Sequence, residues 1–122
     1  MILQTEFEFE LPKGYVDQHG TRHRQGVMRL ATAADEILPL RDPRVQDNPS
    51  YVTLIVLSRV IIKLGELPDI HPKIIEGLFL EDLAYLQRLY SSINALESEP
   101  SASENGRGNG VSGGTPLLRL GA

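Results

Sequence analysis

Apolar and polar residues alternate cleanly from Leu3 to Leu11. Leu3, Thr5, Phe7, Phe9 and Leu11 fall on one side, and Gln4, Glu6, Glu8 and Glu10 on the other. A period of two with an acidic outer side predicts a half-buried strand. Three outward glutamates also protect a sheet edge against unwanted pairing. Pro12-Lys13-Gly14 is expected to break this strand. Tyr15-Val16-Asp17 then leads to a turn signal, Gln18-His19-Gly20, and a return strand containing Val27-Met28-Arg29-Leu30. A hairpin centred near His19-Gly20 follows, giving a three-stranded meander that needs helices on one face to stand.

The run from Asn48 to Gly65 has a different pattern and looks like the spine of the chain. Asn48 suits a helix cap, Pro49 the first helical position and Gly65 a terminator. Its many β-branched residues favour a strand, but the run is too long for an ordinary one, so length predicts a helix of roughly 24 Å. Leu54, Ile55, Leu57, Val60, Ile61, Ile62 and Leu64 fill a broad apolar face, while Arg59 and Lys63 mark a polar stripe. Traced backwards at helical spacing, that stripe lands on Val56 and Val52. The first half of the helix is therefore apolar all round. Either another element of the same chain covers these valines, or they form a docking surface for another protein. The apolar run is too short, and too interrupted by Arg59 and Lys63, for a membrane span.

Shorter helices complete the pattern. Thr32-Ala33-Ala34-Asp35 has the form of a capping box, and Pro39 is expected to end that helix after about two turns. Asp42 suits a charged turn in Arg41-Asp42-Pro43-Arg44, whose arginines are candidates to pair with Asp35 or Glu36. Pro72 opens a short helix through Ile74, Ile75 and Leu78. Glu81-Asp82 favours a helix start, and Leu83, Leu86, Leu89/Tyr90, Ile93 and Leu96 then form a narrow stripe that fits the spine helix. The fold class expected is α+β: an N-terminal antiparallel β-meander followed by a small helical bundle. The domain is expected over 1–97, with a Ser/Gly/Asn-rich tail over 98–122 whose composition predicts disorder. Within that tail, Thr115-Pro116-Leu117-Leu118-Arg119-Leu120 is apolar again and reads as an inert end or as a tethered linear motif.

Composition narrows the function classes. The 122 residues leave room for one modest domain. A net charge of −4 argues against a nucleic-acid binder. The absence of cysteine removes disulfides, thiolate metal sites and thiol catalysis. The first residues lack a basic segment followed by an apolar core, so no signal peptide is expected and a soluble cytoplasmic protein is the default. Candidate chemistry is sparse. Asp17, His19 and His23 have spacing a metal could use, but they lie in a hairpin and no third strong ligand is obvious. Ser58 has no neighbouring base. Arg22, His23, Arg24 and Arg29 form a small basic patch that reads as a solvated hairpin tip or a contact for an acidic strip. Nothing here points to an enzyme, a metal or a cofactor.

From Phe7 to Asn94 the chain resembles the phage tail assembly chaperone family, found in tailed phages, prophages and phage-derived contractile injection systems. The resemblance rests on Phe9-Glu10-Leu11-Pro12, Gly26-Val27-Met28-Arg29, Asp35-Glu36-Ile37, Arg41-Asp42-Pro43-Arg44 and Asn48-Pro49-x-Tyr51. It continues through Ser58-Arg59-Val60-Ile61 with Leu64-Gly65, then Asp82-Leu83, Leu86-Gln87-x-Leu89-Tyr90 and Ile93-Asn94. The order of these pieces carries it, since none is a chemical signature. The resemblance implies a non-enzymatic role: keeping the long tape-measure protein soluble while tail-tube subunits polymerise around it. It implies a tape-measure partner and a possible tail-tube partner, in a bacterial or phage-infected cytoplasm. Helix geometry, not the family, nominates Tyr51, Val52 and Val56 for client contact, with Arg59 and Lys63 pairing to acids at the rim. The alternatives are a baseplate or tube-associated subunit of a contractile injection system, or a homo-oligomeric adaptor whose valine stripe pairs with itself.

Overall fold

The computed structural model describes residues 2–95. The tail expected over 98–122 lies outside the described residues. What is described is α+β: a three-stranded antiparallel sheet, order β1-β2-β3, with five helices packed around it.

Strand β1 runs Glu6–Val16 and β2 runs Arg22–Arg29. Phe7 lies opposite Met28 and Phe9 opposite Gly26. The alternation works as the pattern predicts at Phe9 and Leu11, which are buried, while Glu6, Glu8 and Glu10 are exposed. The turn sits at His19-Gly20. The Asp17 carboxylate accepts from the amides of His19 (2.8 Å) and Thr21 (2.9 Å), and Gly20 takes the left-handed conformation the turn requires (φ +84°).

The expected break at Pro12-Lys13-Gly14 does not occur. β1 continues through it with a register shift between Glu10 and Tyr15. Proline is tolerated because β1 is an edge strand. Gly14 supplies a positive φ of 99°, and the two amides released by the shift are taken up elsewhere, by a helix. The meander's third strand is therefore not made from this region.

It comes from the spine. The run predicted as one helix to Gly65 divides into a 3-10 turn (Pro49–Tyr51), helix α3 (Val52–Val60) and strand β3 (Ile61–Leu64). The backbone turns extended at Ile61 (ψ 107°), where β-branched Val60, Ile61 and Ile62 stand in succession. β3 then pairs with β2: Met28 faces Ile61, Val27 faces Lys63 and Gly26 faces Leu64. Length misled because the run holds two elements with no glycine or proline between them. Gly65 ends β3 (φ +55°) rather than a helix.

The remaining helices are α1 (Ala33–Ile37), α2 (Pro43–Asp47), α4 (Pro72–Glu76) and α5 (Leu80–Ile93). α5 lies against β1, and α3 packs on α4, α5 and α1. One core results: Phe9, Leu11 and Met28 from the hairpin meet Val56, Leu57 and Val60 of α3, Ile75 of α4, and Leu86 and Tyr90 of α5.

Candidate functional site

The five residues nominated for partner contact do not form an exposed surface. Val56 is 2% exposed and belongs to the core, and Val52 is half-buried against it. Of the two readings open for the valines, cover by the chain's own elements holds for Val56, and the docking-surface reading is corrected there. Packing of α3 against β3, α1, α4, α5 and the turns that precede it buries Ile55, Val56, Leu57 and Val60, while Val52 and Leu54 stay half-buried. The Tyr51 hydroxyl donates to Glu76 of α4, and the Arg44 guanidinium lies 5.3 Å from the ring centroid. Its polar end therefore ties three elements of the fold together. Arg59 pairs with Asp35 of its own chain (3.0 Å), so it is not a rim cation awaiting an outside acid. Lys63 is exposed on β3, beside an open depression of about 410 Å³ also lined by Glu8, Glu10 and Gln25.

Exposed apolar side chains occur at several places, Ile2, Leu3, Val16 and Ile62 among them, and three of them cluster where α1 ends. Ile37 is 57% exposed, Leu38 45% and Leu40 52%, within four residues of chain. The local backbone explains it. α1 gives way to a 3-10 turn over Leu38–Arg41, and Pro39 is buried there. With Pro39 turned inward, its two leucine neighbours turn outward. Ile37 and Leu40 are three apart and fall on one side of a 3-10 turn. Such a cluster differs from the single exposed hydrophobics common on any surface. Phe79 and Leu80 form a second, smaller apolar exposure at the start of α5.

A buried ionic network holds the row in place. Asp35 is 2% exposed, and its carboxylate receives both Nη atoms of Arg29 (2.8 and 3.0 Å), Arg59 Nε (3.0 Å) and the Thr32 amide (2.8 Å). The Arg29 guanidinium, first of all, holds the Asp35 carboxyl well below the usual carboxylate range. α1 is thereby fixed to β2 and α3 at once. Its neighbour Glu36 accepts from the Tyr90 hydroxyl of α5; burial and this contact together raise the Tyr90 pKa. The Asn94 side chain accepts from the Ala31 amide (3.0 Å), so the last turn of α5 rests beside the entry to α1. After the row, the Gln46 side chain donates to the Leu40 carbonyl (2.9 Å) and Asp42 caps α2 through the Arg44 amide (2.8 Å). Asp42 also takes Arg44 as its ion pair, so that arginine does not reach Asp35 or Glu36.

Two buried polar residues have structural work that the sequence did not disclose. The Asp82 carboxylate accepts from the Lys13 amide (2.9 Å) and the Gly14 amide (2.8 Å), the groups freed by the irregularity in β1. His23, one of the residues of the basic patch, is buried and so belongs neither to a solvated tip nor to an outward contact. Its Nδ1 accepts from the Glu66 amide (3.1 Å), which leaves Nε2 to donate to Asp17 (2.8 Å). Both ring nitrogens are occupied, and the Asp17-His23 pair clamps the hairpin to the end of β3. Of the rest of that patch, Arg29 belongs to the Asp35 network, while Arg22 and Arg24 donate to the Lys13 and Leu11 carbonyls of β1. Among the described residues no cluster of three metal-ligating side chains occurs, and no helix is long and apolar enough to cross a membrane.

Comparison of the chain with protein-family models, with curated proteins and with solved structures gives no match.

Proposed function

We propose that the protein is a non-enzymatic assembly chaperone for a phage or phage-like tail, acting in the bacterial cytoplasm on the tape-measure protein. The observation that carries this reading is the exposed row Ile37, Leu38 and Leu40, held on a rigid base by Asp35. A long helical client with apolar stripes needs a complementary apolar strip, and anchors at helical spacing suit a short row of this kind. The resemblance over Phe7–Asn94 supplies the client class. The row replaces Val52 and Val56 as the contact surface. Completing the burial of each half-exposed side chain would contribute on the order of 1 kcal/mol. Three such contacts give a modest interface, which suits a client released as the tube closes.

The test is co-expression with a tape-measure protein from the same genome. The double variant Ile37→Lys/Leu40→Lys is expected to keep its fold, because both side chains are exposed and a cation is tolerated at a helix C-terminus. It is expected to leave the tape-measure protein in the insoluble fraction, where the unaltered chain keeps it soluble. A folded double variant that still protects the client would remove the row from the docking surface.

A further inference from the structure

We infer that, without a client, the apolar row is covered by the chain's own segment Leu117-Leu118-Arg119-Leu120. The proposal concerns regulation of the surface described above, and its consequence for client binding rests on that reading.

Three observations lead to it. The described chain ends at Ala95, directly after Asn94, whose side chain is bonded to the Ala31 amide. Ile37 is six residues beyond Ala31, and α1 occupies most of that interval, so row and exit point lie within roughly 20 Å of each other. Leu117 follows Ala95 by 22 residues, mostly Gly, Ser, Asn and Glu. Chains of such composition have a root-mean-square span of about 5–6 Å × √n, hence roughly 23–28 Å here. Tether length and gap therefore match, the condition under which an attached segment reaches its highest effective concentration.

The chemistry also matches. Leu117, Leu118 and Leu120 are the large apolar residues of that stretch, and they face a row of one isoleucine and two leucines. Arg119 stands among them, and exposed Glu36 stands beside Ile37. A client presenting more apolar surface would displace the segment, so the row is shielded against non-specific association until a client arrives.

The chain contains no cysteine, which permits a direct cross-linking test in the full-length protein. Arg41→Cys with Arg119→Cys places one thiol beside Leu40 and one within the segment; Gln18→Cys with Arg119→Cys places the first at the far end of the hairpin. Under a mild oxidant at micromolar protein, the 41–119 disulfide is expected to form within one chain at least ten-fold faster than the 18–119 disulfide. Adding Leu117→Ser/Leu118→Ser should reduce it to the rate of the control pair. Rates within three-fold of one another would overturn the proposal. So would a disulfide formed between chains, which would mean that a second copy covers the row. Because no client is present, this outcome is independent of the chaperone reading. If the intrachain link forms but Leu117→Ser/Leu118→Ser leaves tape-measure binding unchanged, the shielding stands and the row is not the client's surface.

Discussion

Asp82 carries no exposed surface, and its two oxygens take the amides of Lys13 and Gly14. A sequence reader sees an acid near a helix N-terminus and assigns it to the dipole. The structure gives it a second task, closing an irregularity in a strand 68 residues away. Removing it as Asp82→Ala leaves the buried Gly14 amide and the part-buried Lys13 amide without their acceptor, and hydrogen bonds to a charged group contribute about 1.5–3 kcal/mol each. Urea unfolding should therefore show a loss of about 3 kcal/mol, with Asp82→Asn losing about half because one acceptor oxygen remains. A loss under ~1 kcal/mol for the alanine variant would mean that water replaces the carboxylate. Asp35 invites a test by pH. Its folded-state pKa lies below the ordinary value, so its contribution is fully present above about pH 4 and is lost as pH falls below that. Asp35→Asn is expected to be about 2 kcal/mol less stable than the unaltered chain at pH 7, the partly exposed arginines tempering the larger cost of a fully buried pair. That difference should shrink as pH falls from 4 toward 2. A difference constant across this range would show that the network acts by packing alone.

Elements with a single periodicity were legible in the sequence, although β1 runs on past its expected break to Val16. β1 shows its alternation at Phe9 and Leu11, and α5 shows its stripe at Leu86 and Tyr90. Thr32, Asp42, Asn48 and Pro72 stand at element starts where capping chemistry puts them. The passage from α3 to β3 was not legible, because Val60-Ile61-Ile62 suits either conformation and the deciding partner is distant. That partner is β2, and Gly26 makes the approach possible. A methyl group there would collide with the Lys63 carbonyl and the Phe9 ring. Gly26→Ala should therefore separate β3 from β2 and cost ~1–3 kcal/mol, at the upper end because one obstacle is backbone. Amides of β3 should then lose hydrogen-exchange protection before those of β1. Unchanged protection at Lys63 and Leu64 would show that the strand pair can move to accept the methyl.

At the scale of the whole molecule, the surplus of apolar surface inferred from the spine exists, but at another address. The chain is large enough to bury Ile55, Val56, Leu57 and Val60 of α3, so Val56 disappears into the core. Among the exposed apolar side chains, Ile37, Leu38 and Leu40 form a run interrupted by a buried proline and too short for any periodicity to expose. Sequence patterns report the face an element offers to its own fold; an outward cluster at an element's end depends on where the backbone turns. The candidate surface was thus unreadable in advance, although the fold class was not. The row, the Asp35 base beneath it and the nearby exit of the chain at Ala95 together form one end of the molecule.

Hydrogen–deuterium exchange of the protein with and without the tape-measure protein tests the central claim most directly. Amides over 36–42 are expected to gain protection in the complex, while those of Val52–Val60 stay as slow as in the free protein. Protection that appears elsewhere on the surface, with 36–42 unchanged, would contradict it.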